Sequence, residues 1–272
     1  MNTPGGAFRP LRHGDRDELL SFWNASAEFD PLSPGLFDEK AWGDPGFDPE
    51  MALVLEFEGR IVAFAMGVVR HAAEGLRGVV KLLAVDPGHR RQGVGSALLD
   101  TLESRMRDCG AGTARVCESP PNYLCPGVDE RYSMAAPFFK KAGYRAVGTA
   151  FNMTAKLGER ALETAGDEAA LRSRGVECRR ASARDREIIG RLLEAHWPAW
   201  RDEVDAGLAH SPPGVHVAVR DGEAVGFAAW DTNNLGTGWF GPMGTAPGAR
   251  GLGIGRILLL RCLRDMRDAG HA

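Results

Sequence analysis

Two patterns of apolar and polar residues alternate along the first half of the chain. Short apolar runs bounded by turn residues are typical of β-strands, whereas apolar residues at i, i+3 and i+4 predict amphipathic helices. Strands are predicted near 8–11 and at 51–57, 61–69, 76–85, 113–118 and 144–156. Helices are predicted from about Asp15, capped by Asp15 or Asp17, over 94–108 and at about 134–142. The turn Glu58-Gly59 predicts a hairpin between the second and third strands.

The second half shows nearly the same order of elements. Strands are predicted at 176–181, 215–220, 224–230 and 237–245, and helices over 184–196 and after the glycine-rich segment that ends at Gly255. The connection, residues 158–175, is rich in alanine, glutamate and arginine, which favours a linker helix over a flexible hinge. We therefore expect one domain over 1–157, a linker over 158–175 and a second domain over 176–272.

The amino acids themselves repeat as well. The segment 85–95 returns as 245–255, and 58–64 is mirrored by 221–227. The matched positions of the longer segment are Pro87 with Pro247, Gly88 with Gly248, Arg90 with Arg250, Gly93 with Gly253 and Gly95 with Gly255. The apolar stripe of the following helix also recurs at helical spacing. Two matches in the same order indicate an internal duplication.

Composition excludes several classes of protein. The net charge of −3 gives no electrostatic reason to expect nucleic acid or an anionic membrane as partner. The longest apolar run, around 61–69, is too short to span a bilayer, and residues 1–12 do not resemble a signal peptide. Five cysteines without a CxxC pair favour reduced thiols in the cytoplasm. Seven scattered histidines make a metal site unexpected.

The glycine-rich loops are typical of anion-binding turns. Each follows a strand and opens a helix, whose first N–H groups have no intrahelical acceptor and carry partial positive charge. Gly93 and Gly95 let the backbone approach an anion closely, and Arg90 and Arg91 add charge. The pattern is not a dinucleotide-binding fingerprint, because Leu98 stands where a third glycine belongs, and no Gly-Lys-Ser/Thr of a Walker loop follows.

The strand, the Pro-Gly turn, the Arg-x-x-Gly-x-Gly loop and the apolar helix together resemble the acyl-CoA signature of the GNAT superfamily of N-acetyltransferases, and they do so twice. In the first unit, residues 135–144 also resemble another recurrent helix of that family. The resemblance implies an α/β fold of mixed α+β type, with two tandem domains. Each would have a mixed, mostly antiparallel central sheet flanked by helices.

The resemblance further implies where acetyl-CoA would bind. Its pantetheine arm would insert between the splayed fourth and fifth strands and pair with backbone groups of the fourth, which are those of Leu83 and Val85, or of Met243 and Thr245. The pyrophosphate would lie against the loop. The residues implied are Arg90, Arg91, Gln92, Gly93, Val94, Gly95 and Ser96 in the first unit, and Arg250, Gly251, Leu252, Gly253, Ile254, Gly255 and Arg256 in the second.

Acetyl transfer to an amine needs an oxyanion donor, a base and an acid for the leaving thiolate. The Val85 N–H is the expected oxyanion donor. Glu118, at the end of the predicted fifth strand, is the candidate base, with a solvated strand end as the alternative. By resemblance, the tyrosine that protonates the leaving thiolate in this family is replaced here by Phe139, which cannot donate a proton. Tyr132, at the family's asparagine position, is the candidate acid or else an aromatic wall. Cys125 has no activating neighbour in sequence and is expected to be an inert thiol.

The stretch between the first helix and the second strand would frame the acceptor. Aromatic residues interleave there with acids that would suit a cationic amine, or the stretch is an aromatic-anchored loop with solvated acids; they are Phe22, Trp23, Phe29, Phe37, Trp42 and Phe47, and Asp30, Asp38, Glu39, Asp44 and Asp48. The acceptor is expected to be a small-molecule or peptidyl amine, without a metal cofactor. A homodimer is left open.

The second unit ends sooner after its loop than the first. About 22 residues follow Arg250, against roughly 65 from Arg90 to the end of the predicted closing strand. The second copy is therefore expected to lack a fifth strand, and its strand 237–245 to be an open or otherwise covered edge. We expect the first unit to be catalytic. The alternatives are a non-catalytic acyl-CoA-binding or regulatory module, and a structural dimerisation protein.

Overall fold

The chain forms two compact units, seen in a computed structural model that describes residues 6–158 and 161–272. One unit ends at Phe151 and the other begins at Asn152. Residues 1–5 of the predicted first domain, and Glu159 and Arg160 of the predicted linker, lie outside the described residues. Each unit has one central sheet with helices on both faces, so the expected α/β fold class is confirmed.

The first unit is built on a five-stranded mixed sheet. Its strands lie in chain order: β1 (Arg9–Pro10), β2 (Ala52–Phe57), β3 (Arg60–Ala72), β4 (Gly75–Val85) and β5 (Thr113–Val116). The first four pair antiparallel, and β5 is parallel to β4. Helices α1 (Arg16–Ser26) and α2 (Pro34–Lys40) pack on one face, and α3 (Val94–Asp108) and α4 (Ala135–Lys141) on the other.

The second unit is built on four antiparallel strands. These are β6 (Val176–Arg180), β7 (Val215–Arg220), β8 (Glu223–Trp230) and β9 (Phe240–Thr245), in that order across the sheet. Its helices are α5 (Ala165–Arg172), α6 (Arg186–His196), α7 (Arg201–Leu208) and α8 (Ile254–Asp268). Helices α5 and α8 pack on one face and α6 and α7 on the other.

The duplication extends to details that the sequence comparison did not include. The Arg9–Asp15 ion pair (2.6 Å) of the first unit recurs as Arg179–Asp185 (2.7 Å) in the second, at the same place before a helix. Both hairpin turns have two left-handed residues in succession, at 58–59 and at 221–222. Such turns match the twist of the strands that they join. The hairpin prediction is therefore confirmed in both copies.

The predicted closing strand at 144–156 is wrong, because no strand is assigned there in the described chain. The chain instead continues into the second unit, where Leu157 and Leu162 are buried against Leu263 and Met266 of α8. The cause lies in α8, which carries a broader apolar face than α3: Leu260 and Leu263 stand where α3 has Asp100 and Glu103. Covering that face removes apolar surface from water.

Two short helices, α2 and α7, were not predicted, and a third, α5, falls in the linker for which a helix was favoured. Helix α2 has only seven residues, and its start is stabilised by the Ser33 side chain, which accepts a hydrogen bond from the Leu36 amide (3.2 Å). Helix α7 has eight residues and α5, within the predicted linker, has eight. Helices of this length carry too few apolar repeats to be distinguished from loops by periodicity.

Candidate active site

Strands β4 and β5 separate before β4 ends. Strand β5 pairs only with residues 77–80 of β4, and the last contact between them is the Cys117 amide donating to the Val80 carbonyl at 2.9 Å. Strand β4 continues to Val85. Within the described chain no strand pairs with that side of residues 81–85, so the first unit has a cleft between its fourth and fifth strands.

At the end of β4, the backbone N–H and C=O groups of two residues point into this cleft. The Asp86 amide donates to the Val62 carbonyl of β3 at 2.9 Å. Backbone groups of successive strand residues point to opposite sides, so Leu83 and Val85 direct theirs away from β3. The carbonyl of Val85 accepts a hydrogen bond from Arg90 Nε at 2.9 Å, which leaves its N–H for a ligand.

The second unit repeats this arrangement without a fifth strand among its described residues. The Ala246 amide donates to the Val225 carbonyl at 2.9 Å, so Met243 and Thr245 direct their backbone groups away from β8. Strand β9 pairs with β8 alone within the described chain. An open strand edge of this kind accepts an extended partner.

Both glycine-rich loops have the same backbone conformation. Arg91 (φ 64°) and Gly93 (φ 87°) are left-handed, as are Gly251 (φ 77°) and Gly253 (φ 84°). Gly93 and Gly253 are the residues that immediately precede α3 and α8, and left-handed backbone is a conformation that glycine adopts without a Cβ clash. Alternating turns of this kind direct successive N–H groups into one concavity, at a helix start that favours an anion.

The arginine of each motif stabilises the loop itself. Arg90 donates to the Val85 carbonyl (2.9 Å) and to the Ser26 carbonyl (3.0 Å), which connects the loop to the strand end and to the end of α1. Arg250 makes the corresponding bond to the Thr245 carbonyl at 3.4 Å. In the first turn of α8, Arg256 is paired with Asp167 of α5. The side chains of Arg91 and Gln92 remain exposed at the first loop.

Gly95 keeps space free at the start of α3. A Cβ added there would lie 3.5 Å from Phe138 Cε2 and 3.7 Å from Val85 Cγ2, which are ordinary contact distances. Its counterpart Gly255 would place a Cβ 3.4 Å from Met243 Cε. Since protein packing does not require a glycine at position 95, the absence of a side chain there fits a group that approaches the backbone from outside. The loop therefore fits a pyrophosphate.

Helix α4 supplies an aromatic wall beside this loop. Phe138 contacts the ring of Phe139 edge to face (centroids 5.0 Å apart), and Phe139 contacts Tyr144 in the same way (5.6 Å). The Tyr144 hydroxyl donates to Glu103 of α3 at 2.9 Å, so it does not replace the hydroxyl that Phe139 lacks. Burial and the bond to Glu103 raise the pKa of Tyr144 above its ordinary value.

Glu118 lies just beyond β5 on the protein surface. Its carboxylate accepts a hydrogen bond from Arg115 at 2.7 Å, and half of its side chain is exposed. Nothing in the described chain isolates this carboxylate from water. Its assignment as the base stays a prediction, and the geometry requires the acceptor or a water molecule to reach it at the outer end of the cleft.

Tyr132 lies against the acceptor segment, residues 27–32, which connects α1 to α2. Its hydroxyl accepts a hydrogen bond from the Phe29 amide at 2.9 Å and lies beside the Asp30 carboxylate. Its ring contacts Phe29 (centroids 4.9 Å apart), which the Arg131 guanidinium covers from 4.2 Å. Burial and the nearby Asp30 charge raise the pKa of Tyr132. The structure thus brings Tyr132 together with Asp30 and not with Glu118.

Two thiols belong to the chain that leaves β5. Cys117, the residue after β5, makes the last hydrogen bond to β4, and Cys125 lies in the following loop, where it is partly buried. The neighbouring thiol and burial raise the pKa of Cys125, so this thiol keeps its proton at neutral pH. The arrangement favours the inert thiol that the sequence predicted over an acyl-carrying nucleophile.

A buried group of charges lies beneath α2, and sequence reasoning missed it. Lys81 is the extra residue of a β-bulge in β4, since Met66 pairs with Leu82 and the next residue of β3 with Val80. Its ammonium donates to Asp44 and to the Lys40 carbonyl (2.6 Å). Asp44 also accepts two bonds of 2.7 Å from Arg70. Burial lowers the pKa of Lys81 to about 8.

Among the described residues, no group of three or more histidine, cysteine, aspartate or glutamate side chains is arranged to hold a metal ion. In the same part of the chain, no helix combines the length and the apolar character needed to cross a membrane.

In each unit a strand with an open edge leads through a left-handed glycine turn onto a helix, and the family comparison identifies this arrangement as that of acyl-group transferases. The chain belongs to the acetyltransferase (GNAT) family, whose model matches residues 16–123 and again 181–272. The two matches fall one in each structural unit, so the chain holds two tandem copies of the family's domain.

The chain is similar to several known acetyltransferases. It is 30% identical over 194 residues to mycothiol acetyltransferase of Thermomonospora curvata, a match that covers 69% of this chain but only 61% of that protein. A GCN5-related glucosamine N-acetyltransferase region of a fungal multi-domain β-N-acetylglucosaminidase superimposes with a TM-score of 0.77 at 18% identity, over 98% of this chain and 34% of the other. A GCN5-related N-acetyltransferase of Sphaerobacter thermophilus gives 0.63 at 18% identity, over 97% and 83%. The two structures support the fold.

Proposed function

We propose that this protein moves an acetyl group from acetyl-CoA to the primary amine of a small-molecule or peptidyl acceptor by direct transfer. One observation carries the proposal: at Gly95 the loop leaves the helix start free for a ligand, beside the open edge of β4. A site for an anion, at the start of α3, and a site for an extended chain, along β4, therefore lie next to each other. Family membership supports acetyl transfer in general.

In this proposal the loop holds the pyrophosphate through the N–H groups of residues 91–96, and Leu83 and Val85 pair with the pantetheine arm. The Val85 N–H lies at the strand end, where it stabilises the oxyanion that forms on the thioester carbonyl. The amine nitrogen attacks that carbon, a C–N bond forms, and the C–S bond breaks with its electron pair on sulfur. Phe138 and Phe139 exclude water from the reacting groups, which strengthens the electrostatic interactions there.

The names of two relatives support a class of acceptor. The names mycothiol acetyltransferase and glucosamine N-acetyltransferase both refer to small molecules. A small amine is therefore the first class to test, ahead of peptide N-termini. In the segment between α1 and β2, Asp38, Glu39 and Asp44 are paired with basic side chains, and the other acids there suit an acceptor that arrives as an ammonium ion.

Release of the CoA thiol, measured with acetyl-CoA and a panel of primary amines, tests the proposal. The panel should include glucosamine, cysteine and peptides with free N-termini, each paired with an N-acetylated form as control. We expect amine-dependent thiol release for at least one member, and mass spectrometry should find the acetyl group on nitrogen. Tight binding of acetyl-CoA without turnover of any amine would favour the non-catalytic binding module.

A further inference from the structure

The backbone around Asp30 is fixed on several sides. The Asp30 amide donates to the Ala27 carbonyl at 3.1 Å, and Trp23 Nε1 of α1 donates to the Asp30 carbonyl at 2.8 Å. Two residues on, Leu32 exchanges two hydrogen bonds with the Asn24 side chain, at 2.8 and 2.9 Å. A carboxylate held on such a backbone is preorganised.

Tyr132 fixes the segment as well. Its hydroxyl accepts a hydrogen bond from the Phe29 amide and lies beside the Asp30 carboxylate, so the tyrosine connects the loop after β5 to the segment after α1. The other acids of that stretch are engaged differently: Asp44 is buried with Lys81 and Arg70, and Asp38 is paired with Arg16. Asp30 has no arginine or lysine bonded to it in the described chain.

The segment that carries Asp30 also begins beside the cleft. Arg90 donates to the Val85 carbonyl at the end of β4 (2.9 Å) and to the Ser26 carbonyl at the end of α1 (3.0 Å), so the chain that leaves α1 towards Asp30 starts next to the splayed strand end. Glu118 follows β5 but is exposed and paired with Arg115. Of the two carboxylates, Asp30 is the less exposed to water.

We propose that Asp30 is the catalytic carboxylate that binds the acceptor's ammonium group and takes its proton, and that Tyr132 is the residue that positions Asp30. This assignment rests on the proposed function. The ammonium transfers one proton to Asp30, which passes it to water, and the neutral amine attacks the thioester carbon. After the C–N bond forms and the C–S bond breaks, the second amine proton neutralises the thiolate directly or through water.

The surroundings of Asp30 suit this work. Burial raises the pKa of Asp30, which makes its carboxylate a stronger base than an exposed one, and the Tyr132 hydroxyl beside it opposes this by favouring the charged form. Asp129 raises and Arg131 lowers the same pKa through their charges. Removing the Tyr132 hydroxyl must therefore move the titration of Asp30 to higher pH.

The test measures kcat/KM against pH, with acetyl-CoA and the best amine of the panel, for the wild-type chain and four variants. Asp30→Asn should lose about a hundredfold or more, as expected for removal of a general base. Glu28→Gln, an exposed acid in the same segment, is the matched control and should stay within about threefold. Tyr132→Phe should retain its plateau within about tenfold while its acidic limb moves to higher pH. Glu118→Gln should leave the acidic limb of the plot of kcat/KM against pH unchanged.

Each outcome either supports or overturns the roles assigned to Asp30 and Tyr132. Retained activity in Asp30→Asn, or a large loss in Glu118→Gln with an altered limb, overturns the assignment of Asp30. Loss of turnover by Tyr132→Phe at every pH makes Tyr132 the acid and overturns its positioning role. If Asp30→Asn does not fold, the pH profile of Tyr132→Phe tests the assignment alone: an acidic limb at higher pH supports Asp30, and an unchanged limb overturns it. If the wild-type chain acetylates no amine, the proposed function fails and the assignment of Asp30 falls with it.

Discussion

Individual side chains at the two glycine-rich loops have different tasks from those that their motif suggests. Arg90 and Arg250 donate to the carbonyl of the preceding strand and hold the loop in shape. The positive field for an anion then comes from backbone N–H groups and the helix start, which need no side chain. Glycine at position 95 is consequently the residue through which ligand binding can be tested most cleanly.

Gly95→Ala is expected to weaken acetyl-CoA binding at least tenfold, or about 1.4 kcal/mol. The added methyl group meets only ordinary contacts within the protein, so folding should not suffer, but it occupies the space in front of the helix start. Isothermal titration calorimetry measures the effect. Gly112→Ala is the control, because a Cβ there meets nothing within 4 Å. An unchanged Kd in a folded Gly95→Ala protein would contradict the pyrophosphate assignment.

Asp44 is expected to be essential for the stability of the first unit. Asp44→Asn leaves the buried Lys81 and the partly buried Arg70 without their anion, and breaking a buried ion pair from one side costs about 3–5 kcal/mol. Urea denaturation of the first unit measures this loss. Asp38→Asn removes an exposed pair with Arg16 and should cost less than about 1 kcal/mol. Equal losses of unfolding free energy in the two variants would show that the buried charges stabilise the unit no more than an exposed ion pair does.

At the scale of elements, a β-bulge and an early strand ending shape the cleft. The extra residue at Lys81 changes the register of β4 against β3, and β5 stops pairing one residue earlier. Bulges bend a strand and redirect its side chains. The same shift recurs in the second unit between Ala228 and Trp230, so both copies have the bend, although only the first has a fifth strand beside it in the described chain.

The buried contact between β7 and α8 is expected to weaken in mild acid. His216 Nε2 lies 2.6 Å from Asp265 Oδ2, and Arg261 Nε donates to His216 Nδ1 at 3.0 Å, so the ring is neutral with its proton towards Asp265. Burial lowers the pKa of His216 below 6.5 despite Asp265, while Arg261 and Arg180 also lower it. The unfolded chain therefore binds a proton that the folded chain does not, and stability falls as pH drops below about 6.5.

Hydrogen exchange followed by mass spectrometry on peptides covering β7, between pH 7.5 and 5.5, measures this. After correction for intrinsic exchange rates, protection should decline towards pH 5.5 in the wild-type chain and decline less in His216→Gln. His71→Gln, which changes an exposed histidine in the first unit, should behave as the wild type. A decline of the same size in His216→Gln would assign the acid sensitivity to other groups.

At the scale of the whole molecule, the two copies share a fold but differ at the cleft. The first unit has β5 and the aromatic residues of α4 beside its fourth strand, whereas β9 has no such neighbour among the described residues. A thioester at β9 would be more exposed to water, where stabilisation of an oxyanion is weaker. We therefore propose the first copy as the catalytic one.

The comparison of Gly95→Ala with Gly255→Ala tests that proposal. At acetyl-CoA concentrations below KM, Gly95→Ala should lower turnover at least tenfold, and Gly255→Ala should leave it within about twofold. The added methyl of Gly255→Ala meets the flexible end of Met243 at 3.4 Å and Thr245 Oγ1 at 3.7 Å, so the two changes are matched in their structural cost. The reverse result, with loss only in Gly255→Ala, would assign catalysis to the second copy.

Local physics made much of this molecule predictable from its sequence. Helix α3 runs over the predicted residues 94–108, because its apolar stripe and the glycines around it act within a few residues of each other. The hairpin at Glu58-Gly59 and the paired loops at Gly93 and Gly253 followed in the same way, and the repeat identified the two domains. These features depend on backbone conformation and periodicity, which a sequence displays directly.

Tertiary structure alone decided the features that join distant residues. The hydrogen bond of Tyr132 to the Phe29 amide beside Asp30, the burial of Lys81 with Asp44, and the packing of Leu157 and Leu162 on α8 each connect segments far apart in the chain. Such contacts depend on which faces remain uncovered once the sheets have formed, and on how deeply a charge is then buried. For this reason the sequence determined the fold and the place of the two glycine-rich loops, and only the folded chain distinguished Asp30 from the other acids around it.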